Sequence, residues 1–215
     1  MAEDIPDKQG TVGLCTATKS LSRVGCEFIF SRQLHPAMKF AAPVRRTLGF
    51  RTVFNLLGPL TNPAGAKRHV IGVPNEKLAP VLAGALARLG SKRAMVVCGS
   101  GGIDEISPGG YTFVSSLANG AVANALLDAG AEYGERYPVE AIRGGDPAAN
   151  AKTLLAVLKG EERGACRAAA IENAAAAILV GDKAATYREA LALAAESVDS
   201  GRAVAKLSAM LEAMK

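Results

Sequence analysis

Two adjacent carboxylates on a glycine-rich turn carry the strongest chemical signal in this 215-residue chain. The stretch Gly99-Ser100-Gly101-Gly102-Ile103-Asp104-Glu105-Ile106-Ser107 follows directly on the apolar run Ala94-Met95-Val96-Val97-Cys98. Gly99, Gly101 and Gly102 allow backbone angles that other residues avoid, so the loop can turn sharply and bring main-chain N–H groups close to a ligand. Neighbouring carboxylates on such a loop suit a hard cation such as Mg²⁺, which is held by one or two carboxylates together with substrate phosphates. The same residues also read as a solvated acidic turn, and the motif by itself leaves both readings open.

The elements on either side must position that loop. A strand from His69 to Val73, a helix from Glu76 to Leu89 and a strand from Arg93 to Cys98 make a βαβ unit, which predicts two parallel strands with a right-handed crossover. Ligands of open parallel sheets gather outside the carboxyl ends of the strands, and the Asp104-Glu105 loop leaves such an end. Tyr111 to Val114 and Val139 to Ile142 read as further strands, with residues 120–134 as helix or loop between them. Asp146 caps and Pro147 opens a helix running to Lys159 and stopped by Gly160. Its Leu154, Leu155, Val157 and Leu158 form one apolar face. An alanine-rich helix from Cys166 to Val180, stopped by Gly181-Asp182, and helices from Tyr187 to Ser197 and Ala203 to Met214 predict an antiparallel helical layer against the sheet.

Upstream, residues 1–24 are weakly patterned, with a short helix expected over Ala17 to Val24. Residues 25–62 read as a helical part and hinge. Pro36 can occupy the first turn of a helix over His35 to Phe40, and Pro43 marks a break before a second helix closed by Gly49. The apolar segment from Arg51 ends in two proline turns, Gly58-Pro59 and Asn62-Pro63. Residues 63–215 form the α/β domain.

Composition narrows the function classes. Hydrophobic residues make up 49% of the chain, yet no apolar run approaches the ~18 residues of a membrane span. The start, Met-Ala-Glu-Asp-Ile-Pro-Asp-Lys, is polar and acidic where a secretory signal needs a basic start and an apolar stretch. The four cysteines, Cys15, Cys26, Cys98 and Cys166, show no Cys-x-x-Cys spacing, so they point to neither a zinc site nor a disulfide framework and read as reduced cytoplasmic thiols. A net charge of +5 and a pI near 9.1 favour anionic partners, and a phosphorylated small molecule meets that as well as nucleic acid does. The basic pairs Arg45-Arg46, Lys67-Arg68 and Lys92-Arg93 are separate and there is no tryptophan to stack on bases. A nucleic-acid or anion-binding module, or a non-catalytic truncated product, is therefore the alternative to the enzyme reading.

With these segments laid out, the chain resembles the anthranilate phosphoribosyltransferases of tryptophan biosynthesis. The pattern His-Pro-x-x-Lys, then Pro-Val-Arg, then Arg-Thr-x-Phe-Asn-Leu-Leu-Gly-Pro-Leu-Thr-Asn-Pro-Ala runs from His35 to Ala64. The loop Gly-x-Asp-Glu-x-Ser follows at Gly102 to Ser107, and Arg-Gly-Gly-Asp at Arg143 to Asp146 precedes Asn150-Ala151. The resemblance extends from about Val24 to the C-terminus. It fits a pyrimidine-nucleoside phosphorylase relative of similar architecture less closely.

The resemblance implies an α/β fold: a mixed, mainly parallel sheet flanked by helices, with a short N-terminal helical part, as in the nucleoside phosphorylases and phosphoribosyltransferases. It implies transfer of the phosphoribosyl group of PRPP to anthranilate with Mg²⁺ on the diphosphate. Carried over residue by residue, Asp104 and Glu105 are the metal pair, and Arg45 meets the anthranilate. His35, Met38, Asn55, Gly58 and Pro59 line the same acceptor channel, and no residue is assigned as catalytic. From the residues alone, Arg45 equally reads as a surface arginine, His35 as a capping core histidine and Met38 as packing. Arg167-Ala168-Ala169 stands where relatives tend to have Arg-Asp-Ala, a difference expected on the helix surface.

The family also has an upstream dimerisation segment, a Gly-Thr-Gly-Gly-Asp loop that wraps the diphosphate and a Lys-His-Gly-Asn-Arg stretch beside the substrates. None of these motifs occurs in the 215 residues. The chain is thus expected to correspond to the C-terminal part of such an enzyme and to turn over little or nothing alone. A complementing N-terminal chain or a homo-oligomer is the partner to look for.

Overall fold

The computed structural model describes residues 21–26, 47, 54–62 and 64–213. Two compact units emerge: Gly65–Gly201, and Met1–Ala64 together with Arg202–Lys215.

In the unit built from the two ends of the chain, residues 21–24 form a helical turn. The Lys206 ammonium on the last helix donates to the Val24 carbonyl at 2.6 Å. Helix α1 spans Phe54–Leu60 and carries Pro59 inside it. The Gly58-Pro59 step expected as a turn is therefore the last turn of a helix. A proline there removes one backbone donor, and the helix stops one residue later. The Thr61 hydroxyl then lies 3.0 Å from the Leu57 carbonyl and 3.3 Å from that of Gly58, supplying a local partner to carbonyls left open at the helix end. Asn62 accepts from the Ala64 N–H at 2.9 Å, the side-chain turn its residue type favours. The helices expected over 35–40 and 44–49 lie outside the described residues except for Thr47, which is helical.

The larger unit is a layered α/β structure. Its elements are β1 (Arg68–Gly72), α2 (Leu78–Arg88), β2 (Arg93–Gly99), β3 (Thr112–Ala118), β4 (Ala121–Leu127), α3 (Ala129–Tyr133), α4 (Pro147–Leu158), α5 (Ala165–Val180) and α6 (Tyr187–Asp199). Helix α7 (Arg202–Ala213) belongs to the other unit, so the helical layer expected from the C-terminal third consists here of α5 and α6. These two share a core of Ile171, Ala175, Ala190, Leu191 and Ala194.

The four strands lie in the order β1-β2-β3-β4. The β1/β2 pair is parallel, with Arg68 opposite Arg93 and Gly72 opposite Val97, as the βαβ pattern predicts. The remaining two pairings are antiparallel, so the sheet is mixed, but among the described residues parallel pairing is confined to β1/β2. Asn119 and Gly120 connect β3 to β4, both at positive φ (51° and 77°), the two-residue turn that fits the twist of a hairpin. This corrects the expectation of helix or loop over 120–134, whose first half is a strand. Every residue from Ala121 to Leu126 is exposed, so β4 lacks the alternation that marks a half-buried strand. Val139–Ile142, expected as a strand, is a short 3₁₀ helix in which the Ala141 N–H donates to the Pro138 carbonyl at 2.9 Å.

Alternation along β2 sends successive side chains to opposite faces. Met95 and Val97 join Val114, Ile106, Ala176 and Val180 in the core on the α5 side. Helix α2 packs against β2, β3 and β4 through buried Ala79, Leu82, Ala83 and Leu86. Asp146 caps α4 by accepting from the Ala149 N–H, as expected, although of its apolar face only Val157 is buried while Leu154 and Leu155 are exposed. The Arg167-Ala168-Ala169 step is buried rather than on the helix surface: Ala168 is 0% exposed, and the Arg167 guanidinium donates to Asp199 at 2.9 Å.

Candidate metal and substrate site

The acidic loop sits where the βαβ pattern predicts, immediately after β2, and two glycines make its seat. A Cβ on Gly72, the last residue of β1, would lie 1.6 Å from the Asp104 carbonyl oxygen. One on Gly99, the last residue of β2, would lie 2.5 Å from the Glu105 carbonyl oxygen. Only a residue without a side chain lets the loop backbone lie this close across the strand ends. The Gly99 N–H donates to the Ile103 carbonyl at 2.9 Å and closes the turn.

Beyond the carboxylates the chain dives into the core. Ile106 and Ser107 are fully buried. Buried Thr112 accepts from the Ser107 N–H at 2.9 Å, and the Ser100 and Ser107 hydroxyls are 2.8 Å apart. The backbone of Ile106 is held by Asn173 of α5, whose side-chain oxygen accepts from the Ile106 N–H at 2.9 Å. Asp104 and Glu105 are thus an exposed pair at the crest of an anchored loop.

Electrostatics mark the same place. Partial withdrawal of the Glu105 carboxyl from water, and then the charge of Asp104 beside it, push its pKa above the ordinary carboxylate value. Burial pushes the Cys98 thiol up, and the carboxylates of Glu76 and Asp104 add to it. Glu76, Cys98, Ser100 and Tyr111 line a cavity of about 400 Å³ beside the loop. Among the described residues neither Asp104 nor Glu105 has a salt-bridge partner, and no group of three or more His, Cys, Asp or Glu stands where it could hold a metal. The donor set is two hard carboxylates that repel each other, which fits a divalent ion whose other ligands are water and phosphate oxygens.

The remaining site residues belong to the other unit. His35, Met38 and Arg45 lie outside the described residues. Asn55, Gly58 and Pro59 fall in α1, with Gly58 half-buried and Pro59 exposed. Sequence reasoning missed two features. Asn173 is an asparagine, a poor helix former, inside an alanine-rich helix, and that mismatch was the signal. The basic pairs read as separate come together across the parallel register, where Arg68 and Arg93 both form ion pairs with Asp182.

The chain matches known proteins over most of its length. Residues 14–204 match the glycosyl transferase family, a/b domain. The anthranilate phosphoribosyltransferase of Pelotomaculum thermopropionicum is 50% identical over 193 residues, which is 89% of this chain and 55% of that protein. The enzyme of the same name from Chloroflexus aggregans is 45% identical over 90% of this chain and 57% of its own length. Among solved structures, anthranilate phosphoribosyltransferase from Thermus thermophilus superimposes with a TM-score of 0.87 at 40% identity, covering 93% of this chain and 59% of that one. The Saccharomyces cerevisiae enzyme in complex with PRPP and Mg superimposes with a TM-score of 0.76 at 28% identity, covering 84% of this chain and 52% of its own. This chain therefore spans a little over half the length of the relatives it matches. Among the described residues no helix is long and apolar enough to cross a membrane.

Proposed function

The chain belongs to the glycosyl transferase family, a/b domain, and on that premise we propose that it is the metal-binding and acceptor-binding part of an anthranilate phosphoribosyltransferase. The observation that carries this reading is the seating of Asp104 and Glu105, without a counter-charge among the described residues, at the carboxyl ends of a parallel pair. Ligands of open α/β sheets bind at such ends.

In this reading Asp104 and Glu105 hold Mg²⁺, and the bound ion offsets the negative charge that grows on the departing diphosphate of PRPP. Arg45 pairs with the anthranilate carboxylate, for which a planar guanidinium is suited both by charge and by stacking on the ring. His35, Met38, Asn55, Gly58 and Pro59 line the acceptor channel. The diphosphate itself needs backbone donors of the kind a glycine-rich loop supplies, and a complementing N-terminal segment carrying such a loop, or an oligomer, completes the site. The absence of Cys-x-x-Cys spacing among the four cysteines suits a cytoplasmic setting.

The test is formation of phosphoribosylanthranilate from PRPP, anthranilate and Mg²⁺. The chain alone is expected to show background only, and mixing or fusing it with the N-terminal segment of a relative is expected to give turnover that Asp104→Asn abolishes. Turnover by the chain alone at an ordinary enzymatic rate, or a reconstituted pair indifferent to Asp104→Asn, overturns the reading.

A further inference from the structure

The loop's carboxylates are exposed while the residue after them is clamped from a helix 67 positions away, and that clamp has no evident purpose in helix packing alone. Asn173 uses its whole amide. Its oxygen accepts from the Ile106 N–H at 2.9 Å. Its nitrogen donates to the Ile106 carbonyl at 3.3 Å and to the Ala169 carbonyl, one helical turn back, at 2.9 Å. The bond to Ala169 fixes the side chain on α5, and the two to Ile106 bind both polar groups of one loop residue in the manner of a strand neighbour.

We propose that Asn173 is a positioning residue for the metal pair: it sets the direction in which Asp104 and Glu105 leave the sheet, so that both carboxylates face one ion. The inference rests on the metal reading given above. Three physical points carry it. First, the Ile106 side chain is fully buried in the core with Met95, Val97 and Val114, a contact that fixes its depth but does not by itself set the rotation of its backbone. Second, the glycine seats at Gly72 and Gly99 meet the loop through the carbonyls of Asp104 and Glu105, which limits approach from the strand side. Third, among the described residues the Asn173 amide is the side chain that grips Ile106 through a donor and an acceptor at once, and beside the single bond from the Ser107 N–H to Thr112 it sets rotation as well as distance. Two carboxylates adjacent in sequence diverge unless the backbone between and after them is held. Partners of this kind, outside the ligands themselves, typically change metal affinity by about 10- to 100-fold when removed.

The experiment is a Mn²⁺ titration of the full chain, read as paramagnetic broadening of the backbone amide signals of residues 103–106, for the wild type, Asp104→Asn, Asn173→Ala and Ile171→Ala. Ile171 lies on the same helix, buried in the separate core with Ala190 and Ala194, and its truncation controls for loss of stability. Hydrogen exchange of the Ile106 amide is followed alongside. The expected result is broadening in the wild type that Asp104→Asn removes and that Asn173→Ala shifts to about 10-fold higher Mn²⁺ or more. Exchange at Ile106 accelerates in Asn173→Ala, and Ile171→Ala stays within about twofold of wild type in Mn²⁺ response despite its lower stability. Asn173→Ala that titrates like the wild type, while Asp104→Asn does not, overturns the role of Asn173 and leaves the metal pair standing. A wild type that is not broadened, or is broadened no differently from Asp104→Asn, overturns the metal pair and the clamp's role together.

Discussion

At the carboxyl ends of β1 and β2 the chain places Asp104 and Glu105 on a loop with no ion-pair partner among the described residues. At the amino ends of the same two strands, Arg68 and Arg93 stand opposite one another in register and both pair with Asp182. The basic end shares one counter-ion between its two arginines. Asp182 follows α5 at a positive φ of 55°, a backbone state that aspartate tolerates better than most residues, and Arg68 also donates to the Val180 carbonyl at 3.2 Å. That end ties the sheet to the helix through one carboxylate shared by two guanidinium groups. The acidic end holds like charges together on an anchored loop, and in the proposed function it is the end that takes up a cation. Like charges without an ion-pair partner among the described residues mark where a ligand is expected, and ion pairs that tie one element to another mark structure.

The comparison can be broken most forcefully at its glycine seat. Gly72→Ala puts a Cβ against the Asp104 backbone, an overlap no side-chain shift relieves, and is expected to destabilise the chain by about 3 kcal/mol or more while displacing the acidic loop. Denaturant unfolding together with the Mn²⁺ titration reads both effects. An equivalent loss of stability with an unaltered metal response would show that the seat does not aim the carboxylates.

Next in size is a third carboxylate that belongs to neither end. Glu172 is fully buried and neither of its carboxyl oxygens has a hydrogen-bond partner among the described residues. Burial, with a smaller contribution from Asp128, pushes its pKa up to about 8. A carboxyl whose folded pKa is raised holds its proton in the folded chain after the unfolded chain has released it. Its contribution to stability is therefore complete below about pH 4.5 and lost progressively as the pH rises to about 8. Glu172→Gln is expected to flatten that decline and to stabilise the chain by about 2 kcal/mol at pH 7, measured as unfolding free energy against pH. An unchanged slope would remove Glu172 as its source and sharpen attention on the two ends.

With Glu172 neutralised, the ends themselves should titrate with opposite sign. Glu105 is raised above the ordinary value, so protons compete with the cation there, and Mn²⁺ binding is expected to weaken severalfold as the pH falls from 7 toward the carboxylate range. Metal affinity independent of pH would contradict the like-charge pair. Asp182 is held below its ordinary value by the hydrogen bond from Arg93 and the charge of Arg68. Its contribution is present above about pH 3.8 and lost as the pH falls through its lowered folded value. Asp182→Asn is expected to produce the smallest change, a slight fall in midpoint at neutral pH that disappears in acid and in high salt. A large or salt-independent effect would mean that the basic end does more than brace the sheet.

Much of this architecture was legible in the residues because its signals are local. The strand-helix-strand run from His69 to Cys98, the Asp146-Pro147 helix start and the glycine stops each lie within a few residues of what they specify, and caps and periodicities act over such distances. Strand β4 escaped because an edge strand with both faces exposed has no alternation to read. Its Asn119-Gly120 turn was nevertheless the strongest short-range hairpin sign available. Val139 to Ile142 has strand-like composition, but β propensity expresses itself only where a neighbouring strand or packed face exists, and the chain there forms a 3₁₀ turn instead.

By itself the amino-acid sequence determined the family pattern, the acidic pair and its place after a parallel strand, since these depend on residue types at fixed spacing. Only the tertiary structure decided which distant groups meet at the two ends of the sheet. Packing of α5 on the sheet brought Asn173 to Ile106, parallel register brought Arg68 to Arg93, and the turn after α5 brought Asp182 to both. Those contacts span 25 to 114 residues of chain, from Arg68 to Arg93 and from Arg68 to Asp182. No local rule reaches across such distances, because each contact forms only when the whole layered core has closed.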